Sequence, residues 1–159
     1  MAVAKPKSSS PAAEVQGAAK LLGGRSVLRH TPRTPMDVHL VISRGLPAQA
    51  LVRLIENLVV LQADNALEKA LGMSLRTMQR RTSAPARQLT PEQSGRTWKF
   101  AETLAKATQA FGSQKDAEEW MERPAMGLDR QRPIDLLATP KGTEIVETFL
   151  DRINHGVYA

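Results

Sequence analysis

The 159-residue chain contains no cysteine. That absence excludes disulfides, thiolate nucleophiles and thiolate metal sites, and it is compatible with a reducing compartment. Aromatic residues make up only 4% of the chain. Leu, Ala and Arg outweigh β-branched and aromatic side chains, a balance that favours helices over sheets, so the expected fold class is all-α with no substantial strand. No apolar run approaches the roughly 20 residues needed to span a bilayer. Lys5 and Lys7 are followed by Ser8-Ser9-Ser10-Pro11 where a signal peptide needs its apolar stretch, so the expected location is the cytoplasm, with no membrane partner. Nucleotide-binding and hydrolase signatures are missing as well: there is no Walker lysine loop, no G-x-G-x-x-G and no G-x-S-x-G. His30, His39 and His155 stand far apart, in no ligand spacing with a carboxylate, so no metal site is expected. These absences point to a binding protein rather than an enzyme, with no catalytic residues and no cofactor.

What is present is a segregated charge. The net charge is +6. Residues 1–35 carry six Lys/Arg and one acid, residues 36–99 nine and five, and residues 100–159 seven and ten. A basic front half suits phosphate, whereas an acidic rear half is repelled from nucleic acid and is freer to bind protein. Between Glu68 and Glu92 there is no acidic residue at all.

Residues 1–35 mix Ser, Pro, Ala, Gly and Lys and are expected to form a disordered basic arm. Ala12 to Leu22 has only Val15, Leu21 and Leu22 as large apolar side chains, too few for stable docking. From Met36 a short helix runs to Gly45, and Pro47 opens a second with Leu51, Leu54, Ile55, Leu58 and Leu61 at helical spacing. Asn65 and Glu68 have the spacing of a capping box, Gly72 is placed as a left-handed stop, and Ser74 caps a short arginine-bearing helix. Thr90-Pro91-Glu92-Gln93 starts a long helix ending at Gly112, with Trp98, Ala101, Leu104, Ala105, Thr108 and Phe111 on one stripe. Further helices follow from Ser113, from Pro133 and from Thr139-Pro140. The last carries Ile145, Val146, Phe149, Leu150 and Ile153 and closes at Gly156. Asp116, Glu118, Glu119 and Glu122 are expected on a solvated face, and Trp98 and Trp120 in the core.

The segment from Ala70 to Arg81 reads as helix, glycine turn, short basic helix, which is the form of a DNA-reading helix-turn-helix. Arg76 and Arg80 lie four apart and project together with Thr77, while Leu75 and Met78 point to the opposite side. Arg76 or Arg80 suits a guanine edge. Ser74, Thr77, Arg81 and Arg87 suit phosphates, and Gln79 belongs to the same candidate surface. At the other end, Val157-Tyr158-Ala159 sets an aromatic ring and a carboxylate just past a helix stop, which fits either an element that completes an interface or a simply frayed end.

Several spaced motifs over residues 36 to 159 resemble the antitoxins of the Xre/MbcA/ParS type, partners of RES-domain toxins. In the front half these are Gly45-Leu46-Pro47 and the run Leu71 to Arg81. In the rear half they are Ala117 to Pro124, Pro133-Ile134-Asp135-Leu136-Leu137, Thr139-Pro140-Lys141-Gly142 and Arg152 to Ala159. The family commonly shows a Gly-Gly pair before the Pro-hydrophobic-Asp-Leu-Leu motif, where Asp129-Arg130-Gln131-Arg132 stands here. The resemblance implies a helix-turn-helix domain over 36–88 that binds operator DNA as a homodimer and represses its own operon. It implies a toxin-binding domain over 89–159, made of the connecting helix, the later helices and the tail. The toxin would degrade NAD, and the blocking elements would be Arg152, Gly156, Val157, Tyr158 and Ala159, with Lys141 and Glu144 adding polar contacts. A stand-alone helix-turn-helix repressor whose rear domain dimerises or binds a ligand is the alternative.

Overall fold

The computed structural model describes residues 10–84 and 86–156. Within them the chain is helical and forms no strand; isolated bridges join Pro47 to Gln88 and Ala125 to Gln131. The helices are α1 (Pro11–Leu21), α2 (Arg25–Leu28), α3 (Pro35–Arg44), α4 (Ala48–Asn57), α5 (Asn65–Leu71), α6 (Leu75–Thr82), α7 (Pro91–Phe111), α8 (Gln114–Met121), α9 (Pro133–Leu136) and α10 (Pro140–Asn154), with a 3₁₀ turn at Met126–Leu128.

The long helix α7 organises the rest. Thr90 accepts the amide of Gln93 at 3.1 Å while the Gln93 side chain accepts that of Thr90 at 3.1 Å, the reciprocal cap expected from the sequence. Gly112 stops the helix at φ 88°. α1, α3, α5, α8 and α10 all pack against α7, so Trp98, Phe100, Ala101, Leu104 and Ala107 are buried on several sides rather than along one stripe. A helix buried this way is shared between the two halves of the chain.

The disordered arm expected over residues 1–35 is corrected for residues 10–34; residues 1–9 lie outside the described part. Ser10 caps α1, and Val15, Ala18, Ala19 and Leu22 are buried. The docking does not depend on large side chains. A Cβ on Gly17 would stand 2.8 Å from the Ala105 Cβ, so a glycine facing an alanine lets α1 and α7 approach closely, and dispersion contacts accumulate between small residues. Lys106, almost fully buried, fixes the arrangement by meeting Glu14 of α1 at 3.7 Å and Asp151 of α10 at 3.0 Å.

Three other expectations shift. The cap of α5 is Asp64, whose carboxylate accepts from Ala66 and Leu67, not Asn65. On α10 the buried stripe runs through Thr143, Val146, Leu150 and Asn154, leaving Ile145 45% exposed. Glu118 is fully buried rather than solvated. Its carboxylate accepts the amides of Val59, Val60 and Leu61 at 2.9–3.0 Å and the side-chain amide of Gln114 at 2.9 Å. The turn after α4 has its free N–H groups pointing inward, and a buried carboxylate on α8 is what satisfies them.

Candidate functional site

α5 and α6 meet at Gly72, which takes φ 67° and ψ 26°, the left-handed conformation that glycine adopts without a Cβ penalty. Ser74 then caps α6 by accepting the Thr77 amide at 3.1 Å, and its hydroxyl donates to the Thr77 hydroxyl at 3.0 Å. The Glu68 carboxylate crosses from α5 to accept the Leu75 amide. The N-terminus of α6 is thus held by its own cap and by the preceding helix, which fixes the angle between the two.

On α6 the buried side chain is Met78, with Leu75 half-buried beside it. Arg76, Gln79 and Arg80 are exposed and share one face. Thr77 does not join them: it is half-buried and engaged with Ser74. Arg81 is half-buried with its Nε unpartnered. Arg87 is exposed on the loop after α6, and its carbonyl accepts the Ala48 amide at 2.7 Å, tying that loop to the start of α4. Among the described residues, Arg76, Arg80 and Arg87 form no ion pair with an acid. Cations left unneutralised on one exposed helix face are the electrostatic requirement for holding a phosphate backbone.

The rear half presents a different surface. Lys141, Glu144, Ile145, Thr148 and Arg152 of α10, with Gly127, Leu128 and Phe149, line a cavity of about 320 Å³. Lys141 and Glu144 pair at 2.7 Å with both side chains mostly exposed. Met126, 78% exposed, precedes Gly127 on the 3₁₀ turn that packs against α10. Underneath, Phe149 stacks on Trp120 at 5.8 Å, and Trp120 meets Phe111 at 4.9 Å. Gly127 permits this, because a Cβ there would fall 2.3 Å from the Phe149 ring. Gly156 ends α10 at φ 71°. Val157, Tyr158 and Ala159 lie outside the described residues.

Direct contacts join the elements that carry the two surfaces. The Arg96 guanidinium on α7 donates to the Lys69 carbonyl of α5 at 2.6 Å and to the Ala138 carbonyl before α10 at 3.3 Å. α9 packs directly on α5. At the start of α9, Arg132 grips Asp135 through two hydrogen bonds of 2.8 and 2.9 Å, and the Arg132 guanidinium holds the Asp135 carboxyl below its usual range. Burial opposes the charged form of Lys99, but hydrogen bonding to Glu147 together with the charges of Glu147 and Glu102 raises its pKa on balance. Sequence reasoning missed Glu118 and Arg96. Both are ordinary charged residues in their helices, and the backbone partners that define their roles lie tens of residues away.

Among the described residues, no group of three or more His, Asp or Glu side chains could hold a metal ion, and no helix is long and apolar enough to cross a membrane. Residues 37–102 match the family model for the antitoxin Xre-like helix-turn-helix domain, and residues 106–156 match that for the antitoxin Xre/MbcA/ParS C-terminal toxin-binding domain. The curated protein "Antitoxin Xre" of Yersinia enterocolitica is 35% identical over 92 residues, which span 57% of this chain and 62% of that protein. "Antitoxin Xre" of Pseudomonas putida is 30% identical over 120 residues, 76% of this chain and 72% of that protein.

Proposed function

The chain belongs to the Xre antitoxin family, and we propose that it neutralises a RES-domain toxin by occluding an active site that degrades NAD. On this reading it also represses its own operon as a homodimer and works in the cytoplasm, without catalysis of its own. The observation that carries the reading is the division of exposed chemistry between the matched domains. Unpaired arginines stand on α6 in the helix-turn-helix domain. In the toxin-binding domain, a mixed apolar and charged stripe on α10 runs from Lys141 and Glu144 past Ile145 to Arg152.

A cleft shaped for a charged dinucleotide offers cationic and aromatic-binding walls. Arg152 and Gly156, with Val157, Tyr158 and Ala159 beyond them in sequence, would offer a cation and an aromatic ring to such a cleft. Lys141, Glu144 and Ile145 would widen the contact around that plug, an apolar centre with a polar rim. The deciding experiment co-expresses this chain with the RES-domain product of a neighbouring reading frame, purifies through a tag on one partner and follows NAD. Co-purification with suppressed NAD loss is the expected result. Deleting residues 157–159 should restore NAD loss while operator binding persists. A partner that neither co-purifies nor is inhibited would overturn the toxin assignment and leave the stand-alone repressor.

A further inference from the structure

The docked segment α1–α2 precedes the family matches, which begin at residue 37, and it carries a surface that the antitoxin reading does not use. Lys20, Gly23, Gly24, Arg25, Ser26 and Arg53 lie along an open groove of about 560 Å³. From Val15 to Met36 the sequence has no acidic residue. Lys20, Arg25 and Arg29 are exposed, and among the described residues none of the three forms an ion pair. Arg53 is the partly neutralised member, 3.4 Å from Glu56, with both side chains about half exposed.

The groove is held in place. A Cβ on Gly23, which takes φ 102°, would stand 3.0 Å from the Arg53 Cγ and closer still to Val27, so the glycine lets the Arg53 stem lie across the loop. Asn57 donates to the Leu21 carbonyl at 3.0 Å and ties the end of α1 to α4. α2 packs on α4, and α4 is also the helix on which α6 packs. A rigid cationic groove and the arginine face of α6 are thus mounted on one helix.

We propose that this groove is a second phosphate-binding surface, which holds the DNA backbone beside the bases read by α6 and adds affinity without adding sequence preference. The inference rests on the reading of α6 as the DNA-reading helix. Its chemistry is that of positioning contacts: the Lys and Arg heads match phosphate oxygens, while the Ser26 hydroxyl and the Asn57 amide are spent on the Gly23 and Leu21 carbonyls and hold the loop in shape, and the cations carry no donor pattern that distinguishes bases. Docking matters to the energetics. A disordered arm would lose conformational freedom on binding DNA, whereas α1–α2 is ordered beforehand.

The test uses the full chain, its own upstream operator duplex and an unrelated duplex of equal length, with affinities measured from about 50 to about 200 mM salt. Lys20→Gln/Arg25→Gln changes two exposed side chains and leaves the core untouched. This variant should weaken binding to both duplexes alike, keep their affinity ratio, and flatten the slope of log K against log salt by about 0.9 per lost phosphate contact. Arg76→Gln/Arg80→Gln should instead reduce the ratio. If the first variant matches the parent in slope and affinity while the second loses discrimination, the groove assignment falls and the role of α6 stands. If the parent chain binds neither duplex, both fall.

Discussion

Glu118 and Leu61 stand 57 residues apart in sequence, yet the carboxylate of the first accepts the amide of the second at 2.9 Å in the interior. The same carboxylate takes the amides of Val59 and Val60, so one side chain of the toxin-binding domain completes a turn of the helix-turn-helix domain. Glu118→Ala would leave three amides without their acceptor. The Leu61 donor is buried, whereas those of Val59 and Val60 are only partly so; at about 1–3 kcal/mol for a buried donor left unpaired, a loss of at least about 1 kcal/mol is expected, read as a lower urea midpoint. Glu118→Gln keeps one acceptor oxygen but turns an NH₂ toward donors, and should fall between parent and alanine. Equal midpoints for all three proteins would show that water satisfies the turn as well as Glu118 does.

Arg76 and Arg80 share an exposed face with Gln79, but a face alone does not say which arginine reaches a base. A panel of operators with single base-pair changes separates the roles. An arginine bidentate to a guanine should cost about 1–3 kcal/mol when changed to Ala and relax preference at one position. One that holds a phosphate should weaken every operator in the panel equally. Unchanged affinity for both single variants would remove α6 from the interface.

The local parts of this structure were legible from sequence because their causes are local. Ser74, Thr90, Gly72 and Gly112 act on groups within about one helical turn, and the structure places each where the motif predicts. Burial of α1 was not legible, because the value of Gly17, Ala18 and Ala19 depends on facing Ala105, and no property of the segment itself reveals that. Glu118 escaped for a related reason: an acidic helix residue reads as solvated until the partner amides of another element are known. Spacing alone puts Thr77 on the exposed face with Arg76 and Arg80, whereas in the structure it is half-buried and hydrogen-bonded to Ser74.

Asp135 belongs to the Pro-Ile-Asp-Leu-Leu motif, and Arg132 lowers its pKa from the usual value of 3.8. A carboxyl whose pKa is depressed on folding stabilises the native state above its unfolded pKa, and that contribution disappears as pH falls through the folded value. The window therefore lies below about pH 4. Because the two side chains are 41% and 42% exposed, solvent screening limits the contribution to below about 1 kcal/mol. NMR titration should place the Asp135 midpoint below 3.8, and Arg132→Gln should bring it back up. A midpoint unmoved by that substitution would assign the shift to another cause.

Asp129 and Arg130 take φ 52° and 60°, the left-handed region that glycine adopts without strain. The turn brings the Ala125 amide to the Gln131 carbonyl at 3.0 Å and the Arg130 amide to the Ala125 carbonyl at 2.9 Å, so its shape is set by backbone bonds and not by these side chains. Holding a non-glycine residue there costs about 1–2 kcal/mol. Glycine removes that cost but adds about 0.4–1 kcal/mol through its freer unfolded chain. Arg130→Gly should therefore stabilise the protein by up to about 1.5 kcal/mol, visible as a higher urea midpoint with an unchanged slope. Arg130 is exposed and among the described residues forms no ion pair, so no native contact offsets the gain. If Arg130→Gly also weakens toxin binding while the midpoint rises, the side chain is kept for the interface at a cost in stability; a midpoint that falls would mean that the turn is unstrained.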